Sequence, residues 1–167
     1  MTLEEAIQMA IEYEIKVRDL YLEAAHQAND PVGKRVYSAL GEDEKNHIAY
    51  LENRLKHWRD SGELVVEKLT SAIPSREKIE KEMGRLKTHM SREDRNNEKQ
   101  MLSKALSAEI ETSNFYRRLV GEMPEESRAM FQRFQEIEDG HIAMVQAELD
   151  YLSHTGYWLD FKEFDME

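Results

Sequence analysis

Apolar residues recur every three to four positions along four stretches, roughly 2–27, 31–61, 96–121 and 124–154, which is the period of helices that bury one face. Pro31 and Pro124 stand just inside the second and fourth stretches, where a missing N–H costs nothing, and Asp30 is placed to cap the second. Gly62 and Gly156 stand where those two stretches should stop, the position at which helices favour glycine. The chain lines up as two copies of one helical hairpin. Glu14 and Tyr21 recur as Glu109 and Tyr116 at an offset of 95, while Glu44, His47 and Gly62 recur as Glu138, His141 and Gly156 at an offset of 94. The inter-helix turn of the second copy is therefore one residue shorter. Two hairpins that each bury one face predict an all-α four-helix bundle over residues 1–156.

Residues 62–95 join the copies and are too many for a tight turn between antiparallel helices. The second helix, at 1.5 Å per residue, is about 45 Å long. The joining segment is thus expected to travel back along the bundle and to leave the second and third long helices parallel. Ile79, Met83, Leu86 and Met90 repeat at helical spacing between Ser75 and Met90, which predicts a short amphipathic helix that covers the core.

Each long helix carries a carboxylate in the middle of its apolar face. At 100° per residue, Glu14 shares a stripe with Ile7, Ala10, Ile11, Val17, Tyr21 and Ala25, and Glu109 with Leu102, Ala105, Leu106, Tyr116 and Val120. Glu44 lies among Tyr37, Leu40, Ile48, Leu51, Leu55 and Trp58, with His47 one turn on. Glu138 lies among Phe131, Phe134, Ile142, Val145, Leu149 and Leu152, with His141 one turn on. Glu12 points away, and so does Glu23, half a turn from the stripe, which makes Glu23-Ala-Ala-His26 a surface pair. Four unpaired carboxylates in one core would each cost several kcal/mol, and Arg18, near one edge, is the nearest cation on these stripes. Two divalent metals would balance the four acids and leave both histidines neutral. Two Glu-x-x-His pairs and two single Glu, one set per helix, match the carboxylate di-metal arrangement of helix bundles. Oxygen and imidazole ligands suit a hard or borderline ion, iron, manganese or zinc alike. Tyr21 and Tyr116 either pack or hydrogen-bond to a ligating carboxylate.

Composition narrows the chemistry further. The 167 residues contain no cysteine, which excludes a disulfide framework, a thiolate zinc site, an iron–sulfur cluster and a catalytic thiol. Asp plus Glu number 34 against 23 Lys plus Arg, and the net charge of −11 repels phosphate backbones and anionic membranes. No nucleic-acid or membrane partner is expected. The chain has no run of 18 apolar residues and no signal-like start, so it reads as cytoplasmic.

The motifs Glu14-x6-Tyr21, Glu44-Lys-Asn-His47, Glu109-x6-Tyr116 and Glu138-Asp-Gly-His141 make the sequence resemble the rubrerythrin branch of the ferritin-like superfamily. The resemblance covers both hairpins. It implies a non-haem di-iron centre, two iron ions per chain, that reacts with peroxide or dioxygen. It also implies that Glu44 and Glu138 bridge the metals, that Glu14 with His47 holds one iron, and that Glu109 with His141 holds the other. Rubrerythrins proper carry a cysteine-bearing rubredoxin-like domain that this chain lacks, so an external electron-donor protein is expected. Peroxide-reducing members carry a further Glu where this chain has Thr112, and Glu111 lies about 200° from Glu109, on the wrong face to replace it. Fast oxidation of the di-ferrous form by peroxide, with slow turnover unless a donor is added, is the expected behaviour.

The tail, 157–167, has aromatics at Tyr157, Trp158, Phe161 and Phe164 among acids. It is expected to dock on the bundle or on a twofold mate, the assembly being a homodimer; a landing site for the donor is the alternative. Competing functions are a ferritin-type ferroxidase or iron-handling protein, a quinone-type hydroxylase, and a non-catalytic helical module.

Overall fold

The computed structural model describes residues 1–86 and 96–160. Among these the chain forms five α-helices and no strand: α1 Leu3–Gln27, α2 Pro31–Ser61, α3 Arg76–Leu86, α4 Asn96–Glu122 and α5 Glu125–Thr155. The helix boundaries follow local chemistry. Thr2 and Glu5 form a reciprocal cap, with Glu5 N–H donating to Thr2 Oγ1 at 3.1 Å and Thr2 N–H to Glu5 Oε2 at 2.9 Å. Asp30 caps α2 by accepting from Val32 N–H at 2.8 Å and Gly33 N–H at 3.4 Å. Gly62 and Gly156 end α2 and α5 at φ 72° and 76°, the left-handed region where a Cβ would be strained. Pro124 departs from expectation. It precedes α5 as an extended cap residue, at φ −57° and ψ 154°, instead of occupying the first turn.

Two apolar clusters fix the topology. One joins Val17, Tyr21 and Ala24 of α1 to Val36, Tyr37 and Leu40 of α2, Leu102 and Ala105 of α4, and Met144, Val145 and Leu152 of α5. The other joins Ala6, Ile7 and Ala10 of α1 to Leu51 and Leu55 of α2, Phe115, Tyr116 and Leu119 of α4, and Met130, Phe131 and Phe134 of α5. The starts of α2 and α4 therefore lie at one end of the bundle, and the starts of α1 and α5 at the other. So α2 and α4 run parallel, as the length of the crossover requires. Each fully buried large apolar side chain contributes about 1.5–3 kcal/mol. The layer between the two clusters is not apolar: it holds Glu14, Asp43, Glu44, His47, Glu109, Glu138 and His141, all buried.

The crossover returns along α5. Arg133 Nε donates to Leu69 O at 3.0 Å, and a Cβ at Gly140 would lie 3.0 Å from Pro74 O, so glycine lets the irregular segment lie against α5. Ile79 and Met83 of α3 are buried in the first cluster, and α3 packs on α5. Met90 lies outside the described residues. On α5 the inner face is wider than the sequence stripe suggests: Ile142 and Leu149 are only half-buried, whereas Met144 and Glu148 are fully buried. The covering by α3 and by residues after the helix accounts for the extra buried width.

Residues 157–160 dock on the bundle. Trp158 lies across Gly33, where a Cβ would come within 2.7 Å of the indole, and meets Tyr37 edge-on at 5.1 Å. Leu159 N–H donates to the buried carboxylate of Glu148 at 3.1 Å, and Arg35 pairs with Asp160 at 3.4 Å. Phe161 and Phe164 lie outside the described residues. Among the described residues no helix is long and apolar enough to cross a membrane.

Candidate metal centre

Each of the four long helices delivers its apolar-face carboxylate to the layer between the two core clusters. Glu14, Glu44, Glu109, Glu138, His47 and His141 are all 0% exposed. Two groups of four have ligand atoms within 4.8 Å of one another, Glu14–Glu44–His47–Glu138 and Glu44–Glu109–Glu138–His141. They share Glu44 and Glu138. His47 Nδ1 lies 3.6 Å from Glu14, 3.5 Å from Glu44 and 3.8 Å from Glu138. His141 Nδ1 lies 2.8 Å from Glu44, 3.2 Å from Glu109 and 3.7 Å from Glu138. The two imidazoles stack at 5.4 Å, 11° from parallel. The exposed pair Glu23 and His26 stays outside, with Glu23 accepting from Gln27 at 3.1 Å.

The tyrosines hydrogen-bond to carboxylates across the repeat. Tyr21 O–H donates to Glu109 Oε1 at 2.5 Å and Tyr116 O–H to Glu14 Oε1 at 2.8 Å. Each hairpin's tyrosine thus orients the other hairpin's single Glu, which also makes α1 and α4 antiparallel. Thr112 is buried beside this layer, and its hydroxyl donates to Ala108 O at 2.8 Å. Glu111 faces outward and pairs with Lys16 at 3.1 Å.

Asp43 is a member of the site that the helical stripes did not single out. Its Oδ2 lies 2.7 Å from His141 Nε2 and 3.4 Å from His47 Nε2, so one carboxylate faces the outer nitrogens of both rings. Ser71 Oγ donates to the same oxygen at 2.5 Å and Ala72 N–H to Oδ1 at 2.9 Å. Asp43 accepts from Nε2–H of His141 and faces Nε2 of His47, which leaves Nδ1 of both rings turned to the interior. A carboxylate in this place fixes the tautomer and orientation of a metal-binding histidine. Asp43 also forms a third possible group with the two histidines. The backbone and hydroxyl donors that already hold it favour its orienting role over ligation. A signal for Asp43 was present in the sequence: it stands four residues before His47, on the same helix face.

Burial and crowding set the ionisation. Burial and the charges of Glu14 and Glu109 push Glu44 up to about 8. Burial and the charges of Glu109, Glu14 and Glu44 push Glu138 well above the usual range. Glu14 is also buried, yet the adjacent Glu44 carboxyl, the neighbouring His47 and a hydrogen bond from Tyr116 hold it down at about 2. Burial opposes protonation of the histidines, but Asp43, Glu14 and Glu44 around His47, and Glu109, Glu44 and Asp43 around His141, raise both well above the ordinary imidazole value. Protons thus fill the role that cations would otherwise take.

The donor set fits a metal. Glu14 Oε2, Glu44 Oε2, Glu109 Oε2, both Glu138 oxygens and both His47 nitrogens are buried without a hydrogen-bond partner. Leaving such groups unpaired is costly. These buried Glu, Asp and His groups could hold a metal ion.

No family model and no curated protein matches the chain. Among solved structures, the chain is similar to a hypothetical protein from Pyrococcus furiosus at a TM-score of 0.59 and 22% identity, over 91% of this chain and 90% of that one. At that identity the likeness shows the fold alone, an all-helical bundle shared along nearly the whole of both chains.

Proposed function

We propose that this protein is a non-haem di-iron oxidoreductase of the rubrerythrin type, reducing peroxide or dioxygen with electrons from a separate donor. The observation that carries the reading is the pair of four-residue groups that share Glu44 and Glu138, with their partnerless oxygens. Glu14 and His47 would hold one iron and Glu109 and His141 the other, with Glu44 and Glu138 between them. When bound, two ferrous ions supply the two electrons that reduce one O–O bond. The chain's own residues do the rest. Full burial of these six residues keeps bulk water from the centre. Tyr21 and Tyr116 hold Glu109 and Glu14 in place, and Asp43 holds the His141 ring with Nδ1 inward and faces the outer nitrogen of His47. Five buried carboxylates against two divalent ions leave one negative charge. That charge rests on Asp43, which already accepts from Ser71 and Ala72.

The test is stopped-flow oxidation of the di-ferrous protein by hydrogen peroxide, followed by steady-state assays with and without a rubredoxin-like donor. Fast single oxidation with turnover that depends on the donor supports the reading. Iron that accumulates to many ions per chain, in a cage-sized assembly, would assign the protein to iron handling instead.

A further inference from the structure

The two hairpins place the same ligands but not the same aromatic rings. Tyr37 and Phe131 occupy matching positions, each seven residues before the Glu of its Glu-x-x-His pair. On the first side, Tyr21 hydrogen-bonds to Glu109, its ring lies 6.4 Å from that of Tyr37, and Tyr37 lies 5.1 Å from Trp158. Trp158 is 5% exposed, next to Tyr157 at 61%. A series of oxidisable rings in contact therefore runs from the candidate centre to Trp158, whose neighbour in the chain, Tyr157, is exposed. On the second side, Tyr116 is bonded to Glu14, but its ring neighbours are Phe115, Phe131 and Phe134, at 5.6, 6.3 and 5.1 Å. Phenylalanine is far harder to oxidise than tyrosine or tryptophan. On that side the next oxidisable rings, Tyr13 and Tyr50, lie one Phe further off, stacked on Phe115 at 4.5 Å and against Phe134 at 5.7 Å, and the series of rings in contact is interrupted. The Tyr37 hydroxyl and Trp158 Nε1 are buried without hydrogen-bond partners, so hydrogen bonding does not explain why these residues stand there.

We propose that Tyr21, Tyr37 and Trp158 form a one-sided relay that carries oxidising equivalents from the metal centre to the C-terminal segment when dioxygen is the oxidant. The relay rests on the di-iron reading above. Dioxygen needs four electrons and four protons to become two waters, and two ferrous ions hold only two electrons. The other two electrons come from the side chains: Trp158 gives up one electron with its indole proton, and a relay tyrosine gives up one with its phenolic proton. Solvent supplies the remaining two protons. Electron transfer falls off exponentially with distance, so rings in near contact outcompete a single long step to the surface. The relay directs the oxidising equivalents away from the buried glutamates and histidines, to a place where an external reductant can restore them.

The chain carries its own control, because its other tryptophan, Trp58, lies on the far side of Glu44 along α2. The full chain is loaded anaerobically with ferrous iron, its iron counted, and mixed with dioxygen-saturated buffer without external reductant. Freeze-quenched samples are read by electron paramagnetic resonance with deuterated tryptophan, and the products by peptide mass mapping. A tryptophan-centred radical and severalfold more oxidation at Trp158 than at Trp58 are expected. Tyr37→Phe, which removes a hydroxyl that bonds to nothing in the protein, should bind and oxidise iron yet lose most of the Trp158 signal. Equal oxidation of both tryptophans, no radical despite iron oxidation, or an undiminished Trp158 signal in Tyr37→Phe would overturn the relay and leave the di-iron centre standing. Failure to bind iron would remove both.

Discussion

Glu14 and Glu109 each depend on a tyrosine from the other hairpin, and this dependence can be tested one hydroxyl at a time. Tyr21→Phe and Tyr116→Phe each delete a hydrogen bond to a buried carboxylate, a loss of about 1.5–3 kcal/mol for a bond to a charged group. Thermal or chemical denaturation of each variant measures it. Asp43→Asn should weaken metal binding about 10- to 100-fold, as changes to the partner of a ligating histidine do, and it should weaken both metals because one carboxylate faces both rings. Titration with a chelator-buffered divalent ion gives the affinity, and loss at one site alone would contradict the shared role. The six residues on the stripes were legible because their spacing repeats across two hairpins, which coincidence rarely produces. Asp43 was not. Its counterpart in the repeat is Ile137, so internal symmetry gave no support, and in a chain this rich in acids an aspartate next to a glutamate looks like surface.

The crossover and the C-terminal segment are where the helical pattern stops being informative. Periodicity located α3 and the parallel run of α2 and α4, since a long helix must be retraced before a parallel one can begin. It carried no information on Ser71 and Ala72, whose bonds to Asp43 depend on backbone geometry in an irregular segment. Nor did it show that Glu148 is buried, since the polar partner of that carboxylate is the backbone N–H of Leu159, outside the helix. Ser71→Ala should therefore loosen the 69–73 segment from α2 and reduce metal affinity while the helices stay folded. Hydrogen exchange of that segment, compared with circular dichroism, separates the two effects. Gly33→Ala drives a Cβ to 2.7 Å from the Trp158 indole. Overpacking of this kind costs about 1–3 kcal/mol, and the variant should show altered near-ultraviolet dichroism from a displaced Trp158.

Stability of the whole molecule should depend on pH in a direction set by the buried acids. Glu44, raised to about 8, Glu138, raised well above its usual value, and the two raised histidines all release protons on unfolding above their unfolded values. Groups raised in the folded state contribute stability that is present below the unfolded value and lost as pH climbs through the folded one. Glu14, held at about 2, acts in the opposite direction, but only below its unfolded value. The metal-free protein should therefore melt at progressively lower temperature from about pH 5 to about pH 8. A bound metal favours the ionised carboxylates and adds its own linkage, so the gain on metal loading should grow over the same range. Melts of metal-free and loaded protein that converge as pH rises would contradict this. The most direct test of the account is elemental analysis of the chain, purified without chelator after ferrous loading, alongside Glu44→Ala, Glu138→Ala and Glu23→Ala. Two metal ions per chain are predicted for the unmodified protein and for Glu23→Ala, and loss of the pair in the other two variants. A value near zero in the unmodified chain, or equal loss in Glu23→Ala, would contradict the assignment of the buried Glu and His layer as a two-metal centre.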